Sequence, residues 1–193
     1  MRKLIVSEFV SLDGVMQAPG HADEDRDGGF AHGGWTLPFW HDDIGKAFFE
    51  IMQGSDTFLL GRKTYVGHAA AFEPMPVGDP FGDVMNAPKK YVVSKTLKAP
   101  TWRNTTIIRE NVVEAVKALK SEKGKNILTD GSSVLVHTLF EHDLVDELHL
   151  LLYPVTLGSG KRVIPEGLHT TFKLHSATPY PTGVVGLHYV RMG

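Results

Sequence analysis

Twice along this chain a run of β-favouring residues stops at a glycine and a helical pattern begins at once. The two stretches are TFLLGRKTYVG, from Thr57, and NILTDGSSVLVH, from Asn126. A strand that runs straight into a helix cannot close a hairpin with the next strand, so it returns parallel through a crossover. That feature alone points to an α/β sheet.

The rest of the pattern agrees. Leu4 to Val10 is β-rich and mostly apolar, as in a buried strand. Asp13 to Pro38 keeps no period and reads as a long loop. Trp40, Ile44, Ala47, Phe48, Ile51 and Met52 recur at helical spacing, with Asp42 and Asp43 in the first turn, where the helix dipole favours them. Arg62 to Ala70 starts a second helix, and proline-rich Phe72 to Pro88 reads as a loop. KKYVVSKT, ending at Ser94, and TTIIRE are strands. NVVEAVKALKSEKG is a helix with Asn111 as cap and Gly124 as its end. SSVLVHTLFEHD is the helix after NILTDG, VDELHLLLYPV is a buried strand, and FKLHSATPY with VVGLHYVR closes as an antiparallel hairpin. The expected fold class is α/β: a mainly parallel central sheet flanked by helices, with an antiparallel C-terminal hairpin. No repeat or linker interrupts it, so a single domain over residues 1–193 is expected.

Several function classes are excluded. Twenty basic and 22 acidic residues give a net charge of −2, which is no footprint for nucleic acid or an anionic membrane. No apolar run is long enough to span a bilayer. The N-terminal MRKLIVSEFVSLDG reads as a first strand, and a chain without cysteine has no disulfide, zinc-thiolate or thiol chemistry. A cytoplasmic location suits this composition. The ten histidines are scattered. His137 and His142 are five apart on one helix and do not share a face, so no metal site is expected. The acidic stretch DEDRDGGFAHGG lacks the glutamate that an EF-hand needs at its twelfth position and reads as a solvated loop.

Ligands of open α/β sheets sit at the carboxyl ends of strands. Three such ends carry anion-binding chemistry: Gly61-Arg62-Lys63-Thr64, Ser94-Lys95-Thr96, and Asp130-Gly131-Ser132-Ser133. Singly, each is an ordinary turn with a surface cation or hydroxyl. Together they suit a ligand with separated phosphates, such as a dinucleotide bearing a 2′-phosphate. Neither a Walker loop nor a G-x-G-x-x-G turn is present.

These segments resemble the dihydrofolate reductase fold, and most closely the dihydrofolate reductase family proteins related to the riboflavin-biosynthesis reductase, the RibD C-terminal group. FLLGRKTYVG and VVSKTL are similar to that group's cofactor segments. ILTDGSSVLVHTLFEHDLVDELHLLLYPVTLGSGKRVI and SLDG, Ser11 to Gly14, match its most specific signature. The resemblance implies NADPH as cofactor. Arg62, Lys63, Thr64, Ser94 and Lys95 would hold the adenosine-phosphate end, beside Gly61 and Thr96. Gly131, Ser132, Ser133 and Val134 would face the pyrophosphate and nicotinamide. WTLPFW resembles the segment before the pterin-binding acid, but Trp40 stands where that acid is expected. Dihydrofolate itself is therefore not implied.

The expected activity is NADPH-dependent reduction of a C=N or C=O group of a small planar pterin-like or pyrimidine-like molecule, as in 5-amino-6-(5-phosphoribosylamino)uracil reductase. Asp13, Asp130 and Asp42 are the candidate proton donors, with Asp43 behind them. Trp35, Phe39 and Trp40 are candidates for an aromatic substrate wall. Asp13 could equally serve a turn, Asp42 and Asp43 the helix dipole, and Asp130 a helix cap. Two alternatives remain open: a nucleotide-binding protein of this fold without turnover, and a true dihydrofolate reductase using Asp42 or Asp43. A homodimer through the C-terminal strands is expected from the same resemblance.

Overall fold

The computed structural model describes residues 1–192. Its centre is one eight-stranded sheet in the order β4-β3-β2-β5-β1-β6-β8-β7. The strands are β1 (Leu4–Ser11), β2 (Ser55–Gly61), β3 (Lys89–Val93), β4 (Thr105–Ile108), β5 (Asn126–Thr129), β6 (Glu147–Tyr153), β7 (Phe172–Pro179) and β8 (Val185–Arg191). Every pairing from β4 across to β6 is parallel, while β6–β8 and β8–β7 are antiparallel. The expected fold class holds.

Alternation along the parallel strands explains why both faces are covered. Leu4, Val6, Leu59 and Ile127 point to one face. There they meet Val116 and Leu119 of α4 (Val112–Ser121) and Leu135, Val136, Leu139 and Phe140 of α5 (Ser133–Glu141). Ile5, Phe58, Leu60 and Leu128 point to the other face. They meet Met52 of α1 (Asp42–Gln53), Tyr65 and Ala69 of α2 (Arg62–Phe72), and Met85 of α3 (Pro80–Asn86). No helix among the described residues is long and apolar enough to cross a membrane.

Three local expectations need correction. The segment 72–88 is not all loop, because α3 lies within it. Asp79 caps that helix by accepting from Gly82 N at 2.7 Å, and Pro80 occupies the first helical position, where a missing N–H costs nothing. Asn111 does not cap α4 through its side chain. Its backbone is left-handed, with φ +51°, and no side-chain cap bond forms. Trp40 lies outside α1, which starts at Asp42 with the His41 ring accepting from Asp43 N.

Lys90 offers a test of this packing. Its side chain is fully buried in β3, donates to Asn86 O at 2.5 Å and lies 4.5 Å from the centre of the Trp102 ring. Burial outweighs the pull of Glu73 and, with Arg103 adding to it, lowers the ammonium pKa from 10.5 to about 8. Below pH 8 both folded and unfolded chains hold the proton, and the burial penalty is constant. Between pH 8 and 10.5 the unfolded chain binds more protons, so folding stability rises with pH. Relative to Lys90→Met, the wild type is expected to gain up to about 3 kcal/mol across that window in urea unfolding. A flat difference would show that the ammonium is better solvated than its burial implies.

Candidate active site

The tips of β2 and β5 meet. Gly61 N donates to Gly131 O at 3.4 Å, and Thr129 Oγ1 donates to the same carbonyl at 3.2 Å. The approach requires glycine on both sides. A Cβ on Gly61 would lie 2.0 Å from Ser132 Oγ, and one on Gly131 would lie 2.7 Å from Thr64 Oγ1. Gly131 also has φ +125°, a backbone region that side chains disfavour. Helices α2 and α5 start from these two tips, and neither start is capped by a side chain. Their first N–H groups and dipole ends are therefore available to an anion, at neighbouring positions.

Both starts open on a cavity of about 1500 Å³. It is bounded by β1, the loop from Met16 to Asp27, helices α1 to α3, the turn Asp130 to Val134, and Lys161. Pockets for a single small ligand usually measure about 300–1,000 Å³, so this one has room for a cofactor and a second molecule.

Two cations at its rim are already engaged. Lys63 Nζ bonds Asp25 Oδ1 at 3.2 Å and also Asp27, and Lys161 Nζ bonds Asp25 and Asp27 at 2.5 and 2.8 Å. The bonds from Lys161 and Lys63 bring Asp27 down to about 2. Burial pushes Asp25 up, but the same two lysines and the Asp27 N–H outweigh it and leave it lowered. The acidic stretch is the largely exposed loop that was expected, and two lysines tie it down. Arg62 lines the cavity beside Lys63 and is exposed.

Deeper in the cavity lies a proton-bearing cluster. His68, one turn after Thr64 on α2, donates from Nε2 to Asp130 Oδ2 at 2.8 Å, with both side chains mostly buried. Burial pushes the His68 pKa down, but the charge and hydrogen bond of Asp130 prevail and raise it. Glu8 on β1 is 7% exposed, and its Oε1 is buried with no hydrogen-bond partner. Burial, then Asp130 and Glu24, hold its carboxyl well above the usual range. A carboxyl raised in this way is the kind of group that serves as a general acid.

Of the residues expected at a site, Arg62, Lys63, Thr64, Asp130, Gly131, Ser132, Ser133, Val134 and Trp40 line this cavity, and Gly61 supports its floor. The others do not line it. Asp13 accepts from Ser11 Oγ at 2.6 Å and from Gly158 N at 2.7 Å, and these bonds, with Leu157 N, bring it to about 2. It ties a turn together, and a carboxyl that acidic is a poor proton donor. Asp42 is exposed at the first turn of α1, and Asp43 is bonded to Lys46 at 2.8 Å. Ser94 Oγ accepts from Thr96 N and Leu97 N, shaping its own turn, with Lys95 and Thr96 exposed beside it. Trp35 is a core anchor: Nε1 donates to Gln17 O at 2.8 Å, and its ring meets Tyr153 edge-on. Phe39 also packs on Tyr153.

Glu8 and His68 escaped the sequence reading. The available signals were a carboxylate inside an apolar strand, and the four-residue spacing that places His68 over Thr64.

A family model described as the RibD C-terminal domain matches residues 2–186. Two uncharacterized proteins of Bacillus subtilis (strain 168) are similar along almost the whole chain. YyaP is 28% identical over 193 residues, covering 97% of this chain and 94% of its own. YwjB is 30% identical over 190 residues, covering 98% of each. Among solved structures, a Shewanella sp. PV-4 protein provisionally assigned to riboflavin biosynthesis superposes with a TM-score of 0.75 at 18% identity, over 99% of both chains. Enterococcus faecalis dihydrofolate reductase, solved in complex with NADP(H) and RAB-propyl, superposes with a TM-score of 0.64 at 17% identity, over 99% of this chain and 97% of that one. At such identities the likeness to the solved structures is one of fold.

Proposed function

Because this chain belongs to the RibD C-terminal domain family, a family of reductases with a dihydrofolate reductase-like fold, we propose that it is an NADPH-dependent reductase of a small planar C=N or C=O compound. One observation carries this reading: two uncapped helix starts meet at the Gly61–Gly131 contact, on the wall of a cavity large enough for two ligands. The solved dihydrofolate reductase of the same fold holds NADP(H).

The residues suit a dinucleotide phosphate. The N–H groups that open α2 and α5, from Arg62 to Thr64 and from Ser133, would hold phosphate oxygens, with the Thr64 and Ser132 hydroxyls beside them. Arg62 would meet the phosphate that distinguishes NADPH from NADH. An anion reaching Lys63 must share it with Asp25 and Asp27. NADPH, when bound, supplies the hydride. The chain's own groups supply the rest. Glu8 holds a proton in the cavity, and Asp130 fixes the His68 ring, whose raised pKa keeps a second proton close by. Trp40, half-exposed at the rim, offers a face to a flat substrate. A dihydrofolate-type acid at Asp42 or Asp43 has no support, because neither carboxylate lines the cavity.

The test is a titration with NADPH, NADH and FMN, followed by an acceptor screen read as loss of NADPH absorbance. NADPH is expected to bind best, and Arg62→Ala to weaken it about tenfold or more, the worth of one charge-assisted contact. Lys95→Ala, away from the cavity, is expected to leave affinity unchanged. Equal affinity for NADPH in wild type and Arg62→Ala would remove the phosphate assignment, and binding without oxidation by any acceptor would favour a nucleotide-binding protein.

A further inference from the structure

We propose that Glu147, His149 and His188 form a zinc site on the antiparallel side of the sheet, separate from the cavity above. His149 of β6 and His188 of β8 are directly paired across the two strands, and Glu147 precedes His149 by two residues, which places its side chain on the same face. Both imidazole Nε2 atoms approach one carboxylate oxygen, Glu147 Oε2, at 3.3 and 3.2 Å. No two of the three donor atoms are more than 4.8 Å apart.

Those separations fit a metal polyhedron. Zinc–ligand lengths of about 2.0–2.1 Å give a tetrahedron with edges of about 3.3 Å. The two glutamate–histidine edges already have that length, and the histidine–histidine edge closes by rotation of side chains on adjacent strands. A second observation points to a missing ligand. His188 Nε2 is buried and has no aligned hydrogen-bond partner, although Glu147 is 3.2 Å away. Lys3 Nζ bonds the opposite oxygen, Oε1, at 2.5 Å, which orients the carboxylate and leaves Oε2 to the histidines. The fourth position falls to water or to His175, an exposed β7 residue whose ring centre is 4.6 Å from that of His188.

None of these residues lines the cavity, so the inference does not depend on the proposed reductase activity. The sequence offered no sign of it. The expectation of no metal rested on helical spacing, whereas these ligands come from paired strands about 40 residues apart.

The test uses the full chain without a polyhistidine tag, stripped with a chelator and titrated with Zn²⁺ by calorimetry. Saturation at one zinc per chain is expected. His149→Gln and His188→Gln should each weaken binding at least about tenfold. His137→Gln, whose ring instead bonds Arg162 O at 2.8 Å, should not. Zinc should raise the melting midpoint of the wild type and leave that of His188→Gln unmoved. Co²⁺ added to the wild type gives a readout that needs no variant, because tetrahedral coordination produces intense visible bands. Absence of saturable zinc binding, absence of those bands, or unchanged affinity in both histidine variants would each overturn the proposal.

Discussion

Glu8→Gln is expected to make the protein more stable and less active at the same time. In the folded chain the Glu8 carboxyl keeps its proton above the usual range, chiefly through burial, while in the unfolded chain it ionises near 4.5. Above pH 4.5 the unfolded state therefore binds fewer protons than the folded one, and stability falls as pH rises. Glutamine has no proton to lose, so the variant should be the more stable of the two at pH 7–8, and the gap should close as pH falls towards 4. Turnover should move the other way. A positioned acid contributes about 10²–10⁴-fold, and the amide cannot replace it. NADPH affinity should stay near that of the wild type, since the expected loss is confined to the proton. The measurements are melting midpoints at pH 4 and pH 8, together with kcat for whichever acceptor the screen identifies. A variant with full turnover would pass the role to the His68–Asp130 pair. A variant no more stable at pH 8 would show that folding does not raise the Glu8 pKa.

Gly131→Ala should damage both the fold and the proposed cofactor site. The new Cβ would meet Thr64 Oγ1 at 2.7 Å and Thr64 Cγ2 at 3.4 Å, and φ +125° is unfavourable for any side chain. Backbone strain of this kind costs about 1–3 kcal/mol. Relief requires Thr64, in the first turn of α2, to turn or shift away, which disturbs the pair of helix starts that would share one anion. NADPH affinity is expected to fall by about 10² or more, equivalent to about 2.7 kcal/mol. Gly67→Ala is the comparison for stability alone, since Gly67 lies inside α2 with ordinary φ and open space around its Cα, but lines the same cavity. It should gain about 1 kcal/mol of stability through helix propensity. Urea unfolding of the two variants separates strain from a general intolerance of alanine, and NADPH titration of Gly131→Ala reads the contact itself. Wild-type affinity in Gly131→Ala would mean that the cofactor does not use this contact.

The protein illustrates which physical information is local. Alternation in IVSEFV and FLL, the glycine stops at Gly61 and Gly131, and the helical spacing after each were legible because they depend on neighbours along the chain. They fixed the sheet type, the antiparallel end and the two strand tips that carry the candidate site. Local chemistry also misled. The prolines of 72–88 read as breakers, although Pro80 opens α3. Trp35 and Phe39 read as a substrate wall, yet they anchor on Tyr153, which lies more than 110 residues away. Asp13 had the right chemistry for an acid, but its pKa is lowered first by the neighbouring Ser11 hydroxyl and then by the Gly158 and Leu157 N–H groups, which come from the other end of the chain.

The sequence by itself determined that strands would end where helices begin, because backbone preference and hydrophobic period act over a few residues. Only the tertiary structure decided which carboxylate is desolvated, which lysines are already paired, and which histidines face one another across β6 and β8. Burial and charge act through space, and the chain order does not record who the neighbours will be.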